Sequence, residues 1–251
     1  FRFSQTAWWL WPLLVVLIVN ICGSIISMIS GLNRRRLSRS SHDALVHTWR
    51  PLDVPSVDVF LPSCGEPMEV LTNTYEHVAR LEWPGVLTVW VLDDAAKDDV
   101  RALAESFGSE YRVRPNRGEM KKAGNLKYGF GESSGDVIAI FDADFCPRAD
   151  YLRHLVPYLD ATDVGIVQSP QAFETDLSMS WLQRTAGATQ ELFYRWVQPS
   201  RDAAGAPICV GTNAIYRRAA LVEIGGFAQI EHSEDVHTGI ALLRAGYSTQ
   251  Y

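Results

Sequence analysis

Two short apolar stretches that each stop on a pair of carboxylates decide most of what this chain can become. LTVWVL runs into Asp93-Asp94, and VIAIF runs into Asp142-Ala143-Asp144. Short runs rich in Val, Ile and aromatic residues read as strands, and an unbroken run reads as a strand covered on both faces. In an open α/β sheet, ligands bind outside the carboxyl ends of the parallel strands. Carboxylates crowded there repel one another unless a proton or a divalent cation offsets the charge. A third acidic group, Glu234-Asp235, follows later in the chain. The pattern points to Mg²⁺-dependent chemistry on a phosphorylated substrate.

A second feature divides the chain. Residues 7–32 carry no charged side chain, which is enough to cross a bilayer as a helix of about 20 residues. Trp8, Trp9 and Trp11 stand at one end, where indoles favour the headgroup level, and Arg34, Arg35, Arg36 and Arg39 follow the other. The positive-inside rule puts that end and everything after it in the cytoplasm. A secretory signal is the competing reading, but the run is too long, lacks a charged start and has no small-residue cleavage pattern. Residues 33–56 are polar, basic and proline-bearing, and read as a linker that begins within an N-terminal segment of residues 1–49. Residues 50–251 then form the soluble domain. The chain starts at Phe1 and stops at Tyr251 within a strand-like stretch, as an internal piece of a longer protein would.

The 47% hydrophobic composition supports one sizeable core, and a net charge of -6 argues against a nucleic-acid surface. Cys22, Cys64, Cys146 and Cys209 are scattered without zinc spacing and read as reduced thiols. Strands are predicted over 57–61, 87–92, 111–114, 137–141 and 164–168. Helices are predicted over about 69–81, 98–107, 123–131, 151–159, 177–198 and 236–245. Residues 208–210 lead as a further strand-like piece into Gly211-Thr212-Asn213. This alternation predicts a mainly parallel, three-layer α/β sheet.

Within it, Asp142 and Asp144 can share one metal, and Ala143 leaves room for a substrate. A solvated turn explains the string equally until the buried strand before it is counted. Of Asp93 and Asp94, one carboxylate can accept from a nucleotide base N–H while the other supports the turn; simple loop capping is the alternative. Lys121-Lys122-Ala123-Gly124 places cations at a helix start, as suits a diphosphate, although a basic run standing alone is a solvated face. Ser233 or Asp235 can cap the last helix; alternatively a carboxylate there serves as a general base toward a sugar hydroxyl. His237 lacks a paired ligand and reads as structural.

Seven strings in order, VDVFLPSCGEP, LTVWVLDDA, KKAGNLK, DVIAIFDADFCP, VQSPQ, VGTNAIYRR and SEDVHTGIALLRAGY, resemble the processive membrane glycosyltransferases of the inverting family two, typified by bacterial cellulose synthase. The resemblance covers about residues 50–251. It implies a GT-A fold, a UDP-sugar donor, a glycan acceptor and a divalent cation, Mg²⁺ or Mn²⁺. Carried over by position, Asp94 with Asp93 meets the uracil, Glu66 lies in the donor-binding turn and Lys122 meets the diphosphate. Asp142 and Asp144 hold the nucleotide and the metal. Gln168 and Gly211-Thr212 lie toward the acceptor, and Asp235, beside Glu234, is the catalytic base. The resemblance further implies a multi-pass inner-membrane protein with a cytoplasmic catalytic domain, export subunits, and an acceptor motif and channel helices beyond Tyr251. Departures are Cys64 where the family has an aromatic residue, Met120-Lys121-Lys122 for H-A-K, and Ser233 for threonine.

The reading carried forward is β-1,4-glucan synthesis from UDP-glucose. Its rivals are another β-glycan made from UDP-N-acetylglucosamine or GDP-mannose, a nucleotidyl- or phosphotransferase, and a membrane-tethered nucleotide-sugar sensor.

Overall fold

The structure is a computed structural model; it describes residues 8–30, 38–173 and 179–251, the side chains of Trp8, Ser27 and Ser30 excepted. These fall into two compact units. One joins Phe1–Arg36 with Ala172–Ala204, and the other joins Leu37–Gln171 with Gly205–Tyr251.

The second unit is built on a sheet of seven strands. They are β1 (Val57–Ser63), β2 (Leu87–Asp93), β3 (Glu110–Arg112), β4 (Val137–Ile140), β5 (Val164–Gln168), β6 (Ala214–Arg217) and β7 (Ser248–Gln250), in the order β3-β2-β1-β4-β6-β5-β7. Period-two side-chain alternation sorts the core into two faces. Val57, Val59 and Leu61 of β1 pack with Leu71, Tyr75 and Val78 from α3 (Met68–Val78) and with Val100 and Ala104 from α4 (Asp98–Ser106). On the other face Phe60, Leu92 and Ile140 meet Leu126 from α5 (Lys121–Glu132), Leu221 from α9 (Arg218–Glu223) and Leu242 from α10 (Glu234–Arg244). Fully burying such a side chain contributes about 1.5–3 kcal/mol. The three expected layers are therefore present.

Register fixes the site. β1 pairs in parallel with both β2 and β4, with Ser63 opposite Asp93 and Phe60 opposite Ile140. Their carboxyl ends thus share one edge. The sheet is mainly parallel, as expected, with β6 as the exception: it runs antiparallel to both β4 and β5, with Ala214 opposite Ile140. Reversal brings the residues preceding β6 to the edge where β4 ends. Asn213 N–H donates to the Ile140 carbonyl at 2.9 Å and stands in the left-handed region, φ 53°. The strand-like piece expected at 208–210 forms no strand; the ladder starts only at Ala214.

Two further expectations change. The linker holds a helix, α2 (Arg39–Thr48), whose start is capped by Ser38 Oγ accepting from Ser41 N–H at 3.1 Å. The helix expected over 151–159 is α6 (Tyr151–Leu155) followed by a 3-10 turn, Val156–Asp160, because Pro157 has no N–H to give an α-helical bond.

The first unit contains α1 (Trp11–Ser30), which has no charged residue. Its polar Asn20 donates to the Val16 carbonyl and Ser24 to the Asn20 carbonyl, each at 2.8 Å. Leu13, Val19 and Ile26 are exposed. Among the described side chains, which leave out Ser27 and Ser30 of α1, no helix is long and apolar enough to cross a membrane. Arg34, Arg35 and Arg36 also lie outside the described residues. So does Leu177, where a helix was expected to begin. The same unit holds α7 (Trp181–Leu192), opened by a reciprocal cap between Ser180 and Gln183, then a π turn at Phe193–Val197 and α8 (Gln198–Ala203).

Candidate active site

Two carboxylates on this sheet are taken up by hydrogen bonds within the protein. Asp58, in β1 at the far end from the clusters, is buried and accepts from Trp90 Nε1 at 3.0 Å, Gly135 N–H at 2.5 Å and Arg218 Nη2 at 3.1 Å. Asp93 is likewise occupied: it accepts from Ala95 N–H, Lys97 N–H and the Tyr111 hydroxyl at 2.8–2.9 Å. Burial and that last bond push the Tyr111 phenol up to about 12. Asp93 therefore holds the loop that follows β2.

Asp94 is different. Its N–H is bound to the Ser63 carbonyl at 2.9 Å, tying the ends of β1 and β2 together. Its carboxylate is gripped by Arg114, Nε to Oδ1 and Nη2 to Oδ2, both at 2.6 Å. Arg114 is 1% exposed. It was missed in the sequence, where one arginine among several reads as solvated and nothing in the local pattern marks it as buried. Arg114 also donates to the Glu119 and Lys121 carbonyls, at 2.6 and 3.1 Å. Those bonds hold a turn in which Met120 and Lys121 both have positive φ, and α5 leaves from it.

At the start of α5 the two lysines diverge. Lys121 points to Glu231 and His232 on the surface. Lys122 turns inward, donating to Asp142 Oδ1 and, at 3.2 Å, to the Gly211 carbonyl. The loop after β4 is itself pinned: Phe145 N–H bonds the Asp142 carbonyl at 2.9 Å, and the Thr74 hydroxyl of α3 bonds the Ala143 carbonyl at 2.6 Å. Asp142 N–H donates to Thr212 Oγ1 at 2.8 Å. Gly211, with φ +69°, has no room for a side chain: an added Cβ would lie 2.7 Å from Asp235 Cβ and 2.9 Å from its Oδ2. Lys122, Asp142, Gly211-Thr212 and Asp235 thus converge from four separate segments.

Neighbouring residues complete the frame. Gln168 donates to the Ile208 carbonyl at 2.6 Å and accepts from Val210 N–H at 3.2 Å, bracing the loop that carries Gly211. Glu66 accepts from Cys64 N–H at 2.7 Å. Glu234, in the first turn of α10, is buried, and burial raises its carboxyl above the usual range while Lys122 opposes the shift. Ser233 has a positive φ and makes no side-chain cap, while Asp235 Oδ1 accepts from Val236 N–H at 2.7 Å. Burial pushes the Cys209 thiol up to about 11, so it is inert. His237 is exposed.

A cavity of about 400 Å³ is lined by Ser63, Cys64, Glu66, Asp94, Lys122, Asn125, Asp142 and Asp144. It unites the expected base, diphosphate and metal positions. A larger hollow of about 670 Å³ in the same unit is walled by Val46, Trp49, Val54, Leu81 and Trp83, with Arg153 paired to Glu82 at 3.4 Å. None of the carboxylates or lysines singled out in the sequence lines it. For a divalent cation, the carboxylates of Asp142 and Asp144 at a strand end suit an ion that completes its shell with phosphate oxygens and water. Among the described residues there is no cluster of three or more metal-ligating side chains.

Comparison with known proteins places this geometry. The chain is 37% identical over 205 residues to "Cellulose synthase catalytic subunit [UDP-forming]" from Xanthomonas axonopodis pv. citri, covering 78% of this chain and 28% of that protein. It is 34% identical to "Cellulose synthase 1" from Komagataeibacter xylinus, covering 80% and 13%. The chain therefore spans less than a third of the length of these relatives. Among solved structures, the mannosyltransferase PcManGT from Pyrobaculum calidifontis in complex with GDP-Man and Mn2+ matches with a TM-score of 0.61 at 21% identity, covering 92% of this chain and 64% of that one. Glucosyl-3-phosphoglycerate synthase from Mycobacterium tuberculosis, in complex with Mn2+, UDP and glucosyl-3-phosphoglycerate, matches at 0.52 and 18%, covering 86% and 75%. These two establish a GT-A-like fold of nucleotide-sugar transferases. The family model described as Glycosyl transferase family 2 matches residues 58–225, most of the sheet-bearing unit. The chain belongs to glycosyl transferase family 2.

Proposed function

We propose that this chain carries the donor site and catalytic base of a membrane-bound, inverting glycosyltransferase that adds glucose from UDP-glucose to a growing β-1,4-glucan. The observation that carries the reading is the convergence of Lys122, Asp142, Gly211 and Asp235. The UDP-forming name of its 37% identical relative supports the choice of donor.

In this reading Asp94 accepts from the base, and Lys122 leaves Asp142 to meet the diphosphate, where its charge stabilises the leaving group. Asp142 and Asp144 would hold a divalent cation, Mg²⁺ or Mn²⁺, which supplies further charge stabilisation on the diphosphate. Asp235 takes the proton from the acceptor hydroxyl as its oxygen attacks the anomeric carbon. The new C–O bond forms as the bond to the diphosphate breaks on the opposite face. UDP departs with the electron pair, and the α-linked donor becomes a β-linkage. Gly211 keeps the space beside Asp235 open for the acceptor, Thr212 fixes the Asp142 backbone, Gln168 braces their loop, and Glu66 shapes the turn beneath the base. Glu234 sets the start of α10 and so the aim of Asp235. The charge-free run of residues 7–32, followed by Arg34, Arg35, Arg36 and Arg39, supports an inner-membrane anchor with the catalytic unit on the cytoplasmic side. Channel helices and export subunits belong to the full-length protein.

The test uses membranes containing the full-length protein, supplied with radiolabelled UDP-glucose, UDP-N-acetylglucosamine or GDP-mannose and a divalent cation. Product is then digested with linkage-specific glycosidases. Incorporation of glucose alone, released by a β-1,4-glucanase and abolished by Asp235→Asn, is expected. Activity surviving that change sinks the base assignment, and a different accepted sugar sinks the donor.

A further inference from the structure

We propose that Arg114 makes the base pocket select uracil over guanine, by leaving Asp94 one outward acceptor and no more. The inference rests on the reading that Asp94 meets the base. The fold itself does not make the choice, since one structural neighbour was solved with GDP-Man and another with UDP. Selection must come from local side chains.

A carboxylate has two acceptor sites on each oxygen. On Asp94, Arg114 takes one site of Oδ1 through Nε and one of Oδ2 through Nη2, both at 2.6 Å. Gly118 N–H approaches the second site of Oδ2 at 3.4 Å. What remains is the second site of Oδ1. Uracil offers a single imide N–H between two carbonyls and is matched by one acceptor. Guanine offers two adjacent donors, N1–H and the exocyclic amine, and needs a carboxylate with both oxygens turned toward it. Against this Asp94 one of those donors stays unpaired, and an unpaired polar group in a desolvated pocket costs far more than a good bond returns.

Arg114 cannot swing aside to relax the restriction. It is 1% exposed, its Nη1 and Nη2 are also bound to the Glu119 and Lys121 carbonyls, and residue 124 must be glycine to admit it, since a Cβ there would lie 2.2 Å from Nη1. The same guanidinium therefore orients the base acceptor and the turn that delivers Lys122. Arg114 is a positioning residue.

The experiment titrates UDP, GDP and inorganic pyrophosphate, each with Mn²⁺, into the full-length protein in nanodiscs by calorimetry. Proteins are wild type, Arg114→Gln, Arg114→Lys and Asp94→Asn. The wild type is expected to prefer UDP. In Arg114→Gln that preference shrinks by about tenfold or more, the equivalent of one lost charge-assisted bond. Arg114→Lys, which keeps the charge but not the fork, falls between, and it decides the case if the glutamine variant does not fold. Retained pyrophosphate binding certifies that the pocket is intact. An unchanged UDP-to-GDP ratio in the folded arginine variants overturns the proposal. If Asp94→Asn shifts the ratio and they do not, the Arg114 inference alone fails. If Asp94→Asn also leaves the ratio unchanged, the reading of Asp94 as the base acceptor fails first.

Discussion

Asp235 occupies its position because residue 211 has no side chain. Gly211→Ala brings a Cβ to within 2.7 Å of Asp235 Cβ and strains a backbone held at φ +69°, a region that costs an L-residue about 1–2 kcal/mol. Turnover is expected to fall by roughly a hundredfold, the scale of a 1 Å misplacement, while UDP affinity moves little. Parallel measurement of kcat and UDP binding checks this, and an equal loss in both would mean that the whole pocket has collapsed. Glu234 gives a pH signature. Burial raises its carboxyl above the ordinary value of 4.5, so the folded chain holds that proton more tightly than the unfolded chain. Its contribution is fully present below about pH 4.5 and is lost as pH climbs through the raised value. Glu234→Gln is therefore expected to be more stable than wild type near neutral pH, with the gap closing in acid, as denaturant midpoints at both ends would reveal. At this scale Asp93-Asp94 and Asp142-Ala143-Asp144 were legible because each ends an apolar run, whereas Glu234-Asp235 stood out only through the resemblance. Arg114 was not, since nothing in the local pattern separates a buried arginine from a solvated one. Nor could sequence divide Asp93, turned into its own loop, from Asp94, turned to the cavity.

Elements explain how distant residues arrive together. The strands β1, β2, β4 and β5 were readable because both of their faces are covered and their residues are almost all apolar. β6 was obscured: it is four residues long and follows a Gly-Thr-Asn turn whose asparagine has positive φ, so its reversal is a tertiary outcome. α2 was hidden because none of its residues is buried, and His42 docks it by polar contacts, to His154 at 2.9 Å and Tyr158 at 2.7 Å. α5 lies so close to the sheet that a Cβ at Gly129 would sit 2.6 Å from Leu92 Cδ1. Gly129→Ala is expected to cost about 1–3 kcal/mol by overpacking and to tilt α5, moving Lys122 in its first turn. Denaturant unfolding and pyrophosphate affinity would report the two effects. In a Leu92→Val background the penalty should shrink, because the two side chains share one space. A penalty unchanged in that background would show that the clash is relieved elsewhere.

The whole molecule poses a question of solvent. In the sheet-bearing unit, apolar side chains go inside and the surface is polar, as water requires. α1 reverses this: Leu13, Val15, Val16, Ile18, Val19, Ile21 and Ile26 are all about half exposed or more. A row of exposed apolar side chains on one helix suits contact with protein or lipid better than contact with water. The helix satisfies its own backbone, and Asn20 and Ser24 bond back to preceding carbonyls, so lipid would leave these groups satisfied. Sequence made the length and the charge asymmetry legible. It did not show that residues 172–204, more than a hundred positions away, group with this helix rather than with the sheet. If α1 crosses a bilayer, Ile21→Lys puts a charge near its centre at about 2.5–3.5 kcal/mol on the insertion scale. A smaller carbonate-resistant fraction is then expected when residues 1–49 are fused ahead of a soluble reporter, where no other span can hold the product, whereas Ile21→Leu should behave as wild type. If α1 instead packs on a soluble partner, carbonate should strip wild type and Ile21→Leu from the membrane as readily as Ile21→Lys, and the anchor reading is lost.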